Sequence, residues 1–471
     1  MKVKMWLVAL LLISVTQMHA EDSALQAVLS QNGLQKASEL GTSWLQNHIG
    51  RTTLPEVRGK VDIGIGSVEY VLHDMSIQSC VLPVPSVAFS KGTGVSLQVS
   101  GISISVRGLW NLHFGIINDD GWFELDVYAI SLNTVLQLGS EEEHVSISTV
   151  VCSADVGSVH VNFHGGASFI YQPFVDMFSN RIRNEIRAKI CPAFQQGIGG
   201  LESHLAAMPV AVKMGSYVYM NVSLTESPLI KSTGLELNVK GEFYSITSPS
   251  EPPFFPKYFE VPWREDYMVS LGASEFCVNS AAYAFLSAGV LQILITDDMI
   301  PKASPIHLNT SQFGILIPQL PKKYPNMPMQ VQLYASETPL FSFNKTVINV
   351  HLLASAKAFA IGPDSAAIPL FRLDVESSIS AKAYTDKQLL KGVLEMKNFT
   401  MTLGSTEIGD FPIGPIEGMM KFAVTTLVLP KVNALLKDGI MVPFVTGYNI
   451  SNSVMTIENG FVAIAADISV P

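Results

Sequence analysis

Apolar and polar positions along this chain alternate with two different periods. Val61-Asp62-Ile63-Gly64-Ile65, Val95-Ser96-Leu97-Gln98-Val99 and Ile102-Ser103-Ile104-Ser105-Val106 alternate at every second residue, which predicts half-buried strands. Ser158 to Phe163 predicts another strand, ended by Gly165-Gly166. Elsewhere the period lengthens. Leu25, Leu29, Ala37, Leu40, Trp44, Leu45 and Ile49 predict an opening helix, weakened by Gly33 and Gly41. Ile170, Phe174, Phe178, Ile182, Ile186, Ile190 and Phe194 repeat every four residues, the stripe of a long helix, with Pro192 expected to kink or restart it. Further helices are predicted near Phe276–Ser287 and Ile416–Leu436, the second interrupted by Pro430. Asn118-Asp119-Asp120-Gly121 predicts a hairpin turn.

The two halves thus share one plan: helix, strands, long apolar helix. Between them, Ser248–Pro262 carries Pro249, Pro252, Pro253, Pro256 and Pro262, a composition that predicts an extended connector. We divide the chain at 1–20, 21–247, 248–262 and 263–471. The first segment reads as a secretory signal: Lys2 and Lys4, an apolar run from Met5 to Val15, then Ala20 at the cut. That run is too short to span a bilayer, and no later apolar stretch reaches that length free of Pro, Gly or charge.

Composition sharpens this picture. The chain of 471 residues is 48% hydrophobic and 15% charged, against about 25% charged in average domains. So much apolar surface predicts interiors large enough to hold an apolar ligand as well as side chains. A sheet of small strand residues beneath a long helix fits two arrangements, a fully packed core or an elongated cavity for lipid tails. Export places the four cysteines in an oxidising compartment. A Cys152–Cys191 bridge is expected, with Cys80 and Cys277 as small buried thiols. Asn221, Asn309, Asn344, Asn398 and Asn449 open Asn-x-Ser/Thr sequons, candidate glycan sites.

The formal net charge is −10. Without Lys2 and Lys4 it falls to −12, of which −8 lies in residues 21–250 and −4 in residues 251–471. This balance argues against nucleic acid as a partner. Phosphate loops, nucleophile elbows and paired zinc-ligand motifs are missing. His160 and His164 are four apart on a strand, roughly 13 Å, too far to share a metal. Glu141-Glu142-Glu143 reads as a solvated loop. We expect no enzyme activity, no metal and no cofactor. One stretch does point to function. Leu109-Trp110-Asn111-Leu112-His113-Phe114-Gly115-Ile116-Ile117 gathers large apolar residues beside a turn. It is either core or a surface that dips into a membrane.

A set of short motifs then resembles one family, that of bactericidal/permeability-increasing protein and lipopolysaccharide-binding protein, with phospholipid transfer protein as a relative. They are Gly33-Leu34, Cys152 with Cys191, Val239-Lys240-Gly241-Glu242-Phe243-Tyr244-Ser245, Leu271-Gly272-Ala273-Ser274-Glu275-Phe276, Asp297-Asp298-Met299-Ile300-Pro301-Lys302, Lys323-Tyr324-Pro325-Asn326-Met327, Val428-Leu429-Pro430-Lys431-Val432-Asn433 and Ala465-Ala466-Asp467. Each is weak alone; their order is specific and covers nearly the whole mature chain. The resemblance implies an α+β boomerang of two elongated lipid-binding domains, each a twisted antiparallel sheet wrapped on a long helix, joined by a central sheet. It implies bound phospholipid in both domains and a Cys152–Cys191 disulfide. It also implies a secreted innate-immune binder of lipopolysaccharide at the bacterial outer membrane, which we expect to be a monomer.

Members that bind lipopolysaccharide carry a basic N-terminal tip. Here that region offers Lys60, Arg107, His113 and His164 against Asp119, Asp120, Glu124 and Asp126. The predicted contact tip is Lys60, Arg107, Leu109, Trp110, Leu112, His113 and Phe114. Its apolar character, with Leu54–Lys60 and the Val151-Cys152 and Ile190-Cys191-Pro192 contexts, leans toward the phospholipid transfer relative. The competing expectation is therefore phospholipid transfer between membranes or lipoprotein surfaces.

Overall fold

The computed structural model describes residues 23–49, 53–54, 56–62, 66–166, 168, 175–300, 302, 306–386, 389–441 and 449–469. The signal segment, Ile63–Ile65, Ile170 and Phe174 lie outside them.

The N-terminal half builds an eight-stranded antiparallel sheet. Its centre is a long hairpin, Gly94–Phe114 paired with Ile117–Glu141. Ser67–Val81 and His144–Asp155 flank it. Toward the hairpin's closed end Val57–Asp62 pairs with Ser67–Val81, and Ser158–His164 with Ile117–Glu141. The two predicted strands around residues 95–106 are one strand, with a register shift between Val99 and Ile102. Inward residues form one core, in which Trp110 and Phe123 are almost wholly buried. The helix Val175–Ala206 lies against it through Ile182, Ile186 and Ile190.

Pro192 does not end that helix, although its ring removes one backbone hydrogen bond. At the preceding residue, Cys191 is bonded to Cys152 of the sheet, with Cα atoms 5.8 Å apart. The expected bridge therefore forms, and it ties helix to sheet beside the weakened turn.

The C-terminal half repeats the plan with a seven-stranded antiparallel sheet built on Val347–Ile361, Ala367–Asp386 and Leu389–Thr406. Its long helix runs from Gly414 to Asp438 through a wider π turn at Val424–Val428. There Thr425 and Thr426 donate to the carbonyls of Lys421 and Phe422 at 2.6 and 2.7 Å. Such back-bonding accompanies local widening of a helix, and Pro430 follows in the next turn. This helix is 25 residues long, with mean hydropathy 1.3 over its apolar window. By length and composition alone it could cross a membrane, but in line with the sequence it is not free of Pro, Gly or charge: Gly418, Lys421, Pro430 and Lys431 interrupt it.

A six-stranded sheet joins the halves. Leu25–Ser30 sits between Gly234–Val239 and Val269–Ser274, with Phe461–Ser469 and Asn449–Glu458 beyond. This corrects the reading of Leu25 and Leu29 as helical. A spacing of four fits a strand face as well as a helix, and here Ala24, Gln26, Val28 and Ser30 alternate inward. The helix begins at Gln31, where the Ser30 hydroxyl accepts from the Gly33 amide at 3.1 Å.

The Pro-rich connector is extended but not loose. Phe259 and Val261 are buried on the central sheet. The Gln26 side chain donates to the Phe259 carbonyl and accepts from the Val261 amide, both at 2.8 Å and both buried. A Cβ on Gly272 would sit 2.2 Å from Val261, so this strand needs glycine for the connector to lie down.

Candidate functional site

The tip of the N-terminal sheet is a two-residue turn, Gly115-Ile116, between Phe114 and Ile117. Gly115 has φ +60° at the first central position, the place where a hairpin turn of type II′ requires glycine. The turn predicted at Asn118–Gly121 is therefore strand instead, with Asn118 opposite His113 and Gly121 opposite Trp110. Gly121 serves close approach: a Cβ there would lie 2.1 Å from the His164 carbonyl and 2.8 Å from the Trp110 ring.

This shift of four residues redistributes the predicted tip. Trp110 is 0% exposed and donates its indole N–H to the Trp122 carbonyl at 3.0 Å. Its ring packs edge-on to Phe163. Leu112 is also buried. Both residues are core, and the reason is the pleat: beyond the register shift, the even positions from Val106 to Leu112 face inward. Leu109 faces outward and Phe114 is half-buried. The exposed apolar pair at the end of the molecule is Ile116, 97% exposed, and Ile117, 52% exposed. Both belong to the Leu109–Ile117 stretch singled out from the sequence, but the predicted contact tip stopped at Phe114.

The tip's cations are engaged. Lys60 Nζ lies 3.0 Å from Glu69 Oε1, and this contact holds the Glu69 carboxyl below the usual carboxylate range. Arg107 lies over the Trp122 ring at 4.1 Å, whose other face stacks on His164 at 3.8 Å. His113 Nδ1 is 2.6 Å from Asn118 Oδ1. The structure therefore distributes Lys60, Arg107 and His113 among separate partners rather than gathering them.

Apolar space lies deeper in the fold. One face of the central sheet, with Met220, Val222, Leu390 and Ile450, encloses a cavity of about 330 Å³. Leu25, Ala27, Val269, Leu271 and Ile464 line it from strands of both halves. On the C-terminal helix, Phe422, Leu427, Val428 and Leu435 remain half or more exposed.

Of the free thiols, Cys277 is buried as expected and Cys80 only partly so. Burial pushes the Cys277 thiol up to about 12. Among the described residues no His, Cys, Asp and Glu group is arranged to hold a metal ion. Of the sequon asparagines, Asn344, Asn398 and Asn449 are exposed. Asn221 and Asn309 are half-buried and accept from the Ser223 and Ser311 amides.

Several motif residues hold fixed structural positions. Asn433 clamps Leu394 by donating to its carbonyl at 3.0 Å and accepting from its amide at 2.7 Å. Asp467 accepts from the Met268 amide and the Asn452 side chain. Asp297 accepts from the Leu308 amide.

Two antiparallel sheets, each carrying one long apolar helix and sharing a central sheet with an apolar cavity on its face, define a class of tandem sheet-on-helix proteins. The chain belongs to the LBP / BPI / CETP family: residues 33–202 match the model of its N-terminal domain and residues 212–470 that of its C-terminal domain. It is 31% identical over 466 residues to bactericidal permeability-increasing protein of Sebastes schlegelii, covering 98% of both chains. Lipopolysaccharide-binding protein of Homo sapiens is 28% identical, over 98% of this chain and 97% of that one. The crystal structure of lipopolysaccharide binding protein covers 96% of this chain and 99% of its own, at TM-score 0.59 and 25% identity.

Proposed function

We propose that this protein is a secreted, non-enzymatic lipid binder of innate immunity that captures lipopolysaccharide and phospholipid by their acyl chains. The observation that carries this reading is the chemistry of the tip. Two isoleucines project at its end while its cations are held by other residues. Full-length similarity to proteins named for lipopolysaccharide binding and for bactericidal action supports the choice of target.

The mechanism follows from burial. The Ile116-Ile117 turn enters the acyl boundary of a bacterial outer membrane or lipoprotein surface, where each buried isoleucine contributes about 1.5–3 kcal/mol. Acyl chains then exchange water for apolar surface in the domains, at about 0.8 kcal/mol per CH₂. Nothing in this scheme needs a metal or a cofactor. Exposed Asn344, Asn398 and Asn449 suit glycans on an exported chain.

The same apolar tip favours a second reading, phospholipid transfer between membranes or lipoproteins. One pair of assays addresses both. The double variant Ile116→Asp/Ile117→Asp is expected to bind lipopolysaccharide and phosphatidylcholine vesicles about tenfold or more weakly. Unchanged binding removes the tip from the mechanism. Labelled phospholipid moving between vesicles at a rate that falls in this variant favours transfer; binding without such movement favours capture.

A further inference from the structure

The outer face of the N-terminal sheet, just behind the Ile116 turn, holds four of the chain's ten histidines on adjacent strands. The strand register sets their order. His73 stands beside Leu109, Leu109 beside Trp122, and Trp122 beside His164. His113 lies between Glu69 and Asn118, and His160 opposite Asp126. The alternate residues Trp110, Leu112, Phe123 and Val161 are buried in the core. The imidazoles therefore face away from the helix Val175–Ala206, which packs on the other side and reaches this end through Arg181, donating to the Lys60 carbonyl at 3.0 Å.

Each imidazole has polar or acidic neighbours on this face. His73 Nδ1 is 3.0 Å from Asp74 Oδ2, and its Nε2 lies 3.2 Å from Asn111 Nδ2. His113 has the Asn118 amide oxygen and, beside it, Glu69. His164 Nε2 is shielded from solvent, has no hydrogen-bond partner, and lies 3.7 Å from Glu124 Oε2. His160 faces Asp126 and lies edge-on to Tyr128. The opposing charge on His164 is Arg107, on the far side of the Trp122 ring.

The permanent charges of this face are unbalanced. Its cations are three: Arg58, paired with Glu56; Lys60, paired with Glu69; and Arg107. Five further carboxylates join them, Asp62, Asp74, Asp120, Glu124 and Asp126. With neutral imidazoles the face carries a net charge of −4, and four protons bring it to zero. Imidazoles change charge between about pH 5 and 8.

We propose that this face is a pH-gated contact surface for anionic lipid headgroups. At neutral pH its charge opposes a phosphate-bearing surface. In mildly acidic surroundings proton uptake cancels that charge, and Leu109, Trp122 and the isoleucine turn come down onto the membrane together. The proposal rests on the lipid-capture reading and adds its regulation.

The test is flotation of the full-length protein with vesicles of phosphatidylcholine alone and of phosphatidylcholine with phosphatidylglycerol, at about pH 7.5 and about pH 5.5. Each unit of charge at an anionic surface changes affinity by about fivefold, so binding to the anionic vesicles is expected to rise at least tenfold on acidification. Binding to phosphatidylcholine is expected to stay constant. His73→Gln/His113→Gln/His160→Gln/His164→Gln should abolish the rise, and His144→Gln/His204→Gln/His351→Gln should keep it. If the fourfold variant does not fold, His113→Gln/His160→Gln, at two exposed positions, should remove at least half of the rise on a logarithmic scale. An equal rise in the tip-face variants, or no rise in the unaltered protein, overturns the proposal. If the unaltered protein binds neither vesicle at either pH, the lipid-capture reading itself fails; binding to phosphatidylcholine without a pH effect sinks only the gate.

Discussion

The two halves solve one problem, holding a long apolar helix on a sheet, by different chemistry. In the N-terminal half the fastening is covalent: Cys191 of the helix is bonded to Cys152 of the sheet, next to Pro192. In the C-terminal half it is polar. Asn433 pairs twice with Leu394 of the strand, and Glu417 accepts from the Met401 amide at 3.0 Å. The covalent helix runs through its proline, whereas the hydrogen-bonded helix carries a π turn six residues before its own. The C-terminal helix also leaves Phe422 and Leu435 two-thirds exposed. We read the first half as the rigid partner and the second as the adaptable one, because hydrogen bonds re-form on release and a disulfide does not open.

The largest effect that sharpens this contrast is expected from Cys152→Ser/Cys191→Ser. The bridge spans 39 residues, and loop-closure entropy assigns it about 4 kcal/mol. Denaturant unfolding measures the loss, and hydrogen exchange at Ile182, Ile186 and Ile190 locates it. A loss confined to the central sheet would break the comparison.

Next comes Asn433→Leu, which leaves the Leu394 amide and carbonyl unpaired. The expected cost is about 1–3 kcal/mol, with faster exchange along Leu429–Asp438 and none along Val175–Ala206. A neutral substitution would show that apolar packing alone holds this helix.

The smallest effect concerns the free thiols, one in each half. Cys80 is half-buried and Cys277 buried, and burial raises both, Cys277 to about 12. At about pH 8, Cys80 should react with a thiol reagent at least tenfold faster than Cys277. The sign of the pH dependence follows. A raised folded-state value keeps the thiol neutral, so the stability from burying Cys277 is fully present below the unfolded thiol's value of about 8.5. It is lost as pH rises toward about 12. An unfolding midpoint that rises between about pH 9 and 11 would contradict this assignment.

Much of this architecture was legible in the sequence because it rests on long periodic signals. Ile182, Ile186 and Ile190 do lie on the sheet, and the helix at Glu275–Ser287 falls where its pattern predicts. What escaped was local. Leu25 and Leu29 satisfy two periods at once, and only pairing with Gly234–Val239 and Val269–Ser274 decides between them. At the tip, Asn-Asp-Asp-Gly has stronger turn chemistry than Gly-Ile, yet the register is set by burying Trp110 and Phe123 on one face. That choice moves Trp110 and Leu112 from contact surface to core and brings Ile116 and Ile117 forward. The connector's proline content predicted extension, while its anchoring by Gln26 required a partner 233 residues away.

The central claim is that lipid capture is apolar, not cationic. Its most direct test is equilibrium binding of the purified protein to lipopolysaccharide and to phosphatidylcholine vesicles, each at low and high salt. The account predicts binding to both, with affinity unchanged or slightly higher at high salt, because screening weakens only the repulsion from an acidic tip. A preference for lipopolysaccharide that falls tenfold or more with salt would mean that cations govern recognition, and would contradict it.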